Sequence, residues 1–409
     1  MKILLSDGSG LTARQVAGRL AESGHRVEVL SPDPLCLCRF TRHVRRVHRV
    51  PSYGADPLGW LEAALAVYRT GRFDVLFPTQ EQVAALSHAA GRLAAEGIRT
   101  AVPPFEAVRA VQDKVSAAAT LGALGIPQPQ TAFLGSAAAL RERHSFPFYV
   151  KIPIGTATTG VRRIDSAAAL RSAADELERA SAFASGGVIA QEPAQGPLVM
   201  AQSVFARGEM VAAHANLRVR EGARGGASHK RSLDEPTTVV RHLESLGHSL
   251  RWHGGLSADF ILTDAGPVVI DVNPRLVEPN NAWRSGVDLT GALLDIVCGG
   301  APDPQPPGRP GVATHQLLVA MVGAGADGRG RRGLMAEMLS ALGHTGQYRG
   351  SAEELTPVRG DPVTALPVLV AALAMLIRPA LWRWFASGSV AAYALTPAGW
   401  DRLLSTDPA

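Results

Sequence analysis

The sequence predicts a multidomain protein of mixed class, an α/β unit followed by α+β units, and three observations predict it. Short apolar runs alternate with amphipathic helical stretches over about the first hundred residues, which implies a parallel, doubly wound α/β domain. From Phe148 to about Val272 the chain reads mostly as strands separated by glycine-containing turns, which implies antiparallel sheet with inserted helices. At 409 residues, with 46% hydrophobic and 19% charged, the chain is too long for one compact core and has ample material for several.

Lys2–Ser6 is a short apolar strand, followed by the Gly8–Gly10 loop and a helix carrying Leu11, Val16 and Leu20 on one face. Arg26–Leu30 alternates as a second strand, and Asp74–Pro78 reads as another before a helix starting near Glu81. Between them the basic run from Cys36 to Pro51 reads as a solvated face. These elements make up a first domain, residues 1–112. Asp113 then opens a helix that Gly125 ends, with Pro127 just beyond as a stop signal. The strands of the middle region are FYVKI, GVIAQE, MAQSVFA, MVAAHANL, SADFIL and PVVIDV, and Ala167–Ser181 is an inserted helix. A proline-rich linker begins near Ala301 and leads into a C-terminal region, residues 301–409. There Val363–Ile377 is an apolar run followed by Arg378, Trp382, Arg383, Trp384 and Phe385. A membrane span needs about 20 apolar residues, and this run is shorter. A buried or oligomer-facing helix is the preferred reading, and peripheral membrane contact through residues 363–385 the alternative.

The net charge of +5 suits phosphorylated or carboxylated small molecules. Basic and acidic residues alternate in most segments, which argues against nucleic acid as a partner. The three cysteines, Cys36, Cys38 and Cys298, make neither a disulfide framework nor a zinc site. The apolar stretch at the N-terminus is too short for a signal peptide, so a cytoplasmic protein is expected. One motif points elsewhere. Gly8-Ser9-Gly10-Leu11-Thr12-Ala13 satisfies G-x-G-x-x-G/A between a strand and a helix, with Asp33 twenty residues beyond Ala13. That is the setting of a dinucleotide fingerprint, so a nicotinamide-dependent enzyme is an alternative to weigh.

The residues that carry chemistry lie later in the chain. Asp113-Lys114 stands at a helix start, and the segment GALGIPQP follows it. Next come FPFYVKI with Lys151 and then IDVNPR at 270–275. In that order and spacing they resemble the ATP-grasp superfamily over roughly residues 1 to 295, above all its carboxylate–amine ligases and the biotin carboxylase and carbamoyl phosphate synthetase branch. The resemblance implies an ATP-grasp fold behind a Rossmann-like N-terminal domain. It implies a small lid subdomain at 113–190 and a second subdomain at 191–300 holding the metal and phosphate site.

It also implies roles. Lys114 and Lys151 would touch the α- and β-phosphates of ATP, where point-charge lysines suit clustered negative charge. Lys151 sits in an apolar strand, where an unpaired charge is costly. The run from Gly155 to Gly160 matches the phosphate lid, so Thr156, Thr158, Thr159 and Gly160 are candidates for closing over phosphate oxygens. Gln191 and Glu192 match the hinge that holds adenine, and the stretch after them has no carboxylate for the ribose. Asp259, Asp271 and Asn273 are the metal candidates. Mg²⁺, with Mn²⁺ as the alternative ion, takes hard oxygen ligands, and 271 and 273 share one face of a strand. A hairpin through the Thr263–Pro267 turn would bring Asp259 alongside.

Arg275 would face the transferred phosphoryl group, with Asn280 and Asn281 weaker candidates nearby. The segment 214–232 concentrates basic residues around glycines and resembles an acceptor loop of carboxylate–amine ligases, with Arg218 and Lys230 as catalytic candidates. Glu278 lies one position off the acid of the biotin carboxylase branch, so that role is not carried over. The implied activity joins a small-molecule carboxylate to an amine through an acyl phosphate, releasing ADP and phosphate. A carboxylase-type enzyme that phosphorylates bicarbonate is the alternative within the family. A homodimer is compatible with all of this.

Overall fold

In the computed structural model of the chain, the structure describes residues 1–156, 159–184 and 186–408, apart from the side chain of Ser389. Four strands form an N-terminal parallel sheet: β1 Lys2–Leu5, β2 Arg26–Ser31, β3 Val44–Arg49 and β4 Val75–Phe77, in the order β3-β2-β1-β4. Strand β1 is almost wholly apolar, and Ile3, Leu4 and Leu5 are buried between helices on both faces of the sheet. Strand β3 arises from the basic run expected to be a solvated face. It is an edge strand that pairs Val47 with Val29, packs Val44 and Val47 on the core and leaves its arginines toward water.

The second sheet is small and antiparallel. It consists of β5 Thr131–Leu134, β6 Phe148–Lys151, β7 Val161–Ile164 and β8 Val188–Gln191, in the order β5-β8-β6-β7. The Gly155–Gly160 run lies in the β6–β7 connection. The helix Lys114–Ala123 precedes this sheet; Asp113 caps it by accepting from the Ser116 N–H at 2.8 Å. Gly125, at φ +64°, ends it in the left-handed conformation.

The third sheet is the largest. Its strands are β9 Leu198–Ala206, β10 Glu209–Glu221, β11 Ala227–Ser232, β12 Gly254–Thr263, β13 Gly266–Asn273, β14 Ala313–His315 and β15 Ala352–Glu353. They run β13-β12-β9-β10-β11-β14-β15, antiparallel except for the last pair. The expected acceptor loop at 214–232 is instead the β10–β11 hairpin, with Arg218 opposite Lys230 and only a short turn at Ala223–Gly225. Beneath the sheet, Phe205, Trp252 and Phe260 pack against Leu243 and Leu246 of the Thr237–Ser249 helix.

Past the proline-rich segment, β14 and β15 extend this sheet. The last helix, Pro397–Ser405, returns to the N-terminal unit, where Trp400 and Leu403 join the core of Trp60 and Leu61. A Cβ at Gly399 would lie 2.0 Å from the Gly54 carbonyl oxygen, so this docking needs glycine there. The helix Ala365–Ile377 is buried on one face only, by Val368, Ala371, Ala372 and Met375. Of the expected buried or oligomer-facing helix, one face is buried within this chain. No helix among the described residues is long and apolar enough to cross a membrane.

Candidate functional site

The tight turn between β12 and β13 sets Asp259 directly opposite Asp271, and Ser257 opposite Asn273. Alternation along β13 puts Asp271 and Asn273 on one face. Burial, and then the charge of Asp271, push the Asp259 carboxyl up to about 7; Arg218, Arg275 and Lys151 pull in the other direction. Two carboxyl groups thus lie opposite each other across the β12–β13 pair, and burial is the main cause of the rise at Asp259. Among the described residues no group of three or more His, Cys, Asp or Glu side chains is gathered for a metal. The donors here are two carboxylates and an amide. That set fits a hard divalent cation whose remaining ligands are phosphate and water, and does not fit a self-contained zinc site.

Two lysines flank Asp271 from different elements. Lys151, buried on β6, donates to the Ile270 carbonyl at 2.7 Å; burial lowers its pKa and Asp271 opposes that shift. Lys114, at the first position of its helix, donates to the Gly155 carbonyl at 2.8 Å and lies 3.9 Å from Asp271 Oδ1. Each ammonium has three protons, so one bond to a carbonyl leaves two for an anion. Lys114, Lys151, Gln191 and Asp271 line a cleft together with Leu121 and Val269.

The β6–β7 connection begins beside Lys114, whose backbone N–H donates to the Pro153 carbonyl at 3.0 Å. Ile152 N–H donates to the Gly160 carbonyl at 2.9 Å, and Gly160 takes φ +79°. A Cβ at Gly155 would stand 2.1 Å from the Thr159 carbonyl oxygen. Thr156 Oγ1 donates to Glu81 Oε1 at 2.5 Å, and the Thr159 hydroxyl donates to the Thr156 carbonyl. Thr158 lies outside the described residues. On β8, buried Gln191 donates from Nε2 to Thr131 Oγ1 at 3.0 Å, and the neighbouring Glu192 carboxylate accepts from Arg143 at 2.5 Å.

Arg275 is 8% exposed, with Nε buried and without a hydrogen-bond partner and Nη1 donating weakly to its neighbour's carbonyl at 3.3 Å. Its guanidinium is therefore largely unspent. Arg218 donates to the Gly225 carbonyl at 2.8 Å and pairs with Glu221 at 3.2 Å. Lys230 is not on an open loop. It is 1% exposed on β11, and its ammonium donates to Glu278 at 2.6 Å and Glu354 at 2.8 Å. Burial alone would lower its pKa, but Glu278 and Glu354 outweigh that and hold it above its ordinary value. An ammonium neutralised by two carboxylates is poorly suited to capturing an anion, which corrects the expectation for Lys230. Asn280 and Asn281 are likewise engaged with their own fold, Asn280 on the Glu354 carbonyl and Asn281 on His214 and Thr314.

The glycine loop is closed to a pyrophosphate. Asp7 Oδ2 accepts from the Ser9 N–H at 3.0 Å and the Gly10 N–H at 2.6 Å, the donors such a ligand would use, and it places a carboxyl where phosphate charge would sit. The Gln80 amide covers Gly10, 2.0 Å from a Cβ built there. Asp33 accepts from the Leu35 N–H at 2.8 Å in a local turn. This geometry speaks against the nicotinamide reading.

Two partners of candidate residues gave no signal in the sequence. Glu81 accepts from Thr156 and, at 2.7 Å, from the backbone N–H of Leu395 in the C-terminal region. Glu354, just past the end of β15, accepts from Lys230 at 2.8 Å. Both are distant in sequence from the motifs.

No protein-family model and no curated protein matches this chain. Solved structures do match. One is the biotin carboxylase domain of the Hydrogenobacter thermophilus 2-oxoglutarate carboxylase, a dimer with MgADP, ADP and bicarbonate. It is 16% identical, with a TM-score of 0.61 over 76% of this chain and 73% of that one. The Staphylococcus aureus N5-carboxyaminoimidazole synthetase with ADP is 16% identical, with a TM-score of 0.60 over 83% and 86%. The Campylobacter jejuni biotin carboxylase in a beta-gamma-ATP complex is 18% identical, with a TM-score of 0.59 over 73% and 71%. At such identities the likeness is one of architecture. The chain has the ATP-grasp fold.

Proposed function

We propose that the chain is an ATP-dependent carboxylate–amine ligase that forms an amide through an acyl phosphate and releases ADP and phosphate. The observation that carries this reading is the Asp259–Asp271 pair with Lys114 and Lys151 beside it. The lysines would hold the α- and β-phosphates, and Thr156, Thr159 and Gly160 would close the connection over them. Adenine would lie against Gln191, which lines the cleft, with Glu192 next to it in the chain. Asp259, Asp271 and Asn273 would hold Mg²⁺, which supplies charge neutralisation at the β- and γ-phosphates.

A carboxylate oxygen attacks the γ-phosphorus and the bond to the ADP oxygen breaks, giving the acyl phosphate. The largely unspent guanidinium of Arg275 is suited to grip two oxygens of the transferred group, and Arg218 would add positive charge. The amine nitrogen then attacks the acyl carbon, the bond to phosphate breaks, and the amine loses a proton. ATP supply makes the cytoplasm the expected compartment, and a homodimer is compatible with the geometry.

Bicarbonate as the carboxylate is the second reading, supported by the architecture shared with two biotin carboxylases and a carboxyaminoimidazole synthetase. The test is ADP release across amino acids and carboxylates, with product mass, in buffer stripped of carbon dioxide and with bicarbonate restored. ADP and phosphate released only with an acid and an amine support the ligase. Bicarbonate-dependent release without an organic acid supports the carboxylase. Release of AMP and pyrophosphate overturns both.

A further inference from the structure

The helix Ala365–Ile377 has a second apolar face. Leu366, Leu369, Val370, Leu373 and Ile377 recur at three- and four-residue steps and are between 48% and 75% exposed. The preceding helix, Gly330–Leu342, repeats the pattern with Met335, Leu339 and Leu342 at 52%, 65% and 76%. Arg331 joins the two, donating to the Leu376 carbonyl at 2.6 Å and the Ile377 carbonyl at 2.9 Å. A helix at a protein surface ordinarily turns polar residues outward, and a contiguous apolar patch left in water marks an interaction site.

The charge around the patch is mostly of one sign. From Asp327 to Asp401 the acidic residues are Asp327, Glu337, Glu353, Glu354, Asp361 and Asp401, and only the two at the ends, Asp327 and Asp401, are exposed. Glu337 pairs with Arg220, Glu354 with Lys230 and Asp361 with Arg14, while Glu353 accepts backbone N–H groups. Arg331, Arg332, Arg378 and Arg383 are exposed, and Trp384 beside them is 66% exposed.

We propose that this face docks on an anionic lipid surface. The aliphatic stripe enters the boundary between headgroups and acyl chains, the arginines reach lipid phosphates while their stems stay on apolar ground, and Trp384 lies at the interface. At 13 residues the helix lies on the membrane and does not cross it. Charge selects lipid over a second copy of the chain, because a two-fold contact through this face would set one arginine fringe against the other. The alternative disfavoured on sequence grounds becomes the better one, since only the fold shows which face of the helix is left bare.

The full-length protein is sedimented with vesicles of phosphatidylcholine and of phosphatidylcholine with phosphatidylglycerol, at low and high salt. Binding to the anionic vesicles, at least about tenfold tighter than to the neutral ones and weakened by salt, is expected. Leu369→Ser with Leu373→Ser, and separately Arg378→Glu with Arg383→Glu, should each weaken it by at least about tenfold. These side chains are exposed, so the melting temperature should stay unchanged. Protein left in the supernatant by both vesicle types at low salt overturns the proposal. So does vesicle binding indifferent to both double variants, or light scattering that shows a dimer dissolved by Leu369→Ser with Leu373→Ser.

Discussion

Asp271 shows how much one side chain can be asked to do. It stands opposite Asp259, 3.9 Å from the Lys114 ammonium, and its charge is felt at Lys151. Asp271→Asn keeps the shape and removes the charge. Turnover should fall by roughly 10²–10³ at saturating Mg²⁺, the usual cost of removing one electrostatic stabiliser from a transition state. Stability should hold or rise, because the substitution relieves the repulsion that adds to burial in raising the Asp259 carboxyl. Asp264→Asn, in the exposed turn next to it, is the control and should be silent. Steady-state ADP release and a thermal melt of both variants check this, and near-wild-type turnover of Asp271→Asn removes the metal assignment. Lys230 teaches the opposite lesson. Its residue type and basic neighbours suggested substrate capture, yet its partners, Glu278 and Glu354, neutralise it inside the fold.

Elements set what such residues can reach. The β6–β7 connection is tied down at Thr156 by Glu81, and the other oxygen of the same carboxylate holds the backbone N–H of Leu395. One side chain therefore joins the expected phosphate lid to the C-terminal segment. Glu81→Ala leaves the N–H of Leu395, a 3% exposed residue, without its acceptor, which costs about 1–3 kcal/mol. Denaturant midpoints should show that loss, and Thr156→Val, which spares Leu395, should lose less. Equal losses in the two variants would place the stability in the Thr156 contact alone. Elements were also where sequence reading did best and failed most clearly. Alternation exposed β6, β8, β9, β10, β12 and β13, because strand period and glycine turns are local. It missed β3 and β11, whose basic side chains disguise strands that are held by their neighbours.

Over the whole molecule, the N-terminal sheet could have been the nucleotide site and the large sheet its support. The geometry reverses that order. The glycine-loop donors are given to Asp7, and the phosphate-binding candidates converge between β6, β13 and the Lys114–Ala123 helix. Calorimetry should therefore show ATP binding, weakened by Lys151→Met, and no binding of NAD. Micromolar NAD binding abolished by Gly10→Val, with ATP silent, would restore the nicotinamide reading.

The sequence by itself determined the class of fold, the order of motifs and the chemical types brought to the site. It could do so because helix caps, strand alternation and D-x-N spacing depend on neighbours a few residues away. The tertiary structure alone decided which charges are free. Lys230 meets acids 48 and 124 residues along the chain, and Thr156 meets one 75 residues away, partnerships created by strand order and packing that no spacing encodes. The same holds for the apolar run at 365–377. Composition makes it hydrophobic on every side, and only the docking of Val368, Ala371 and Met375 determines that Leu369 and Leu373 face outward.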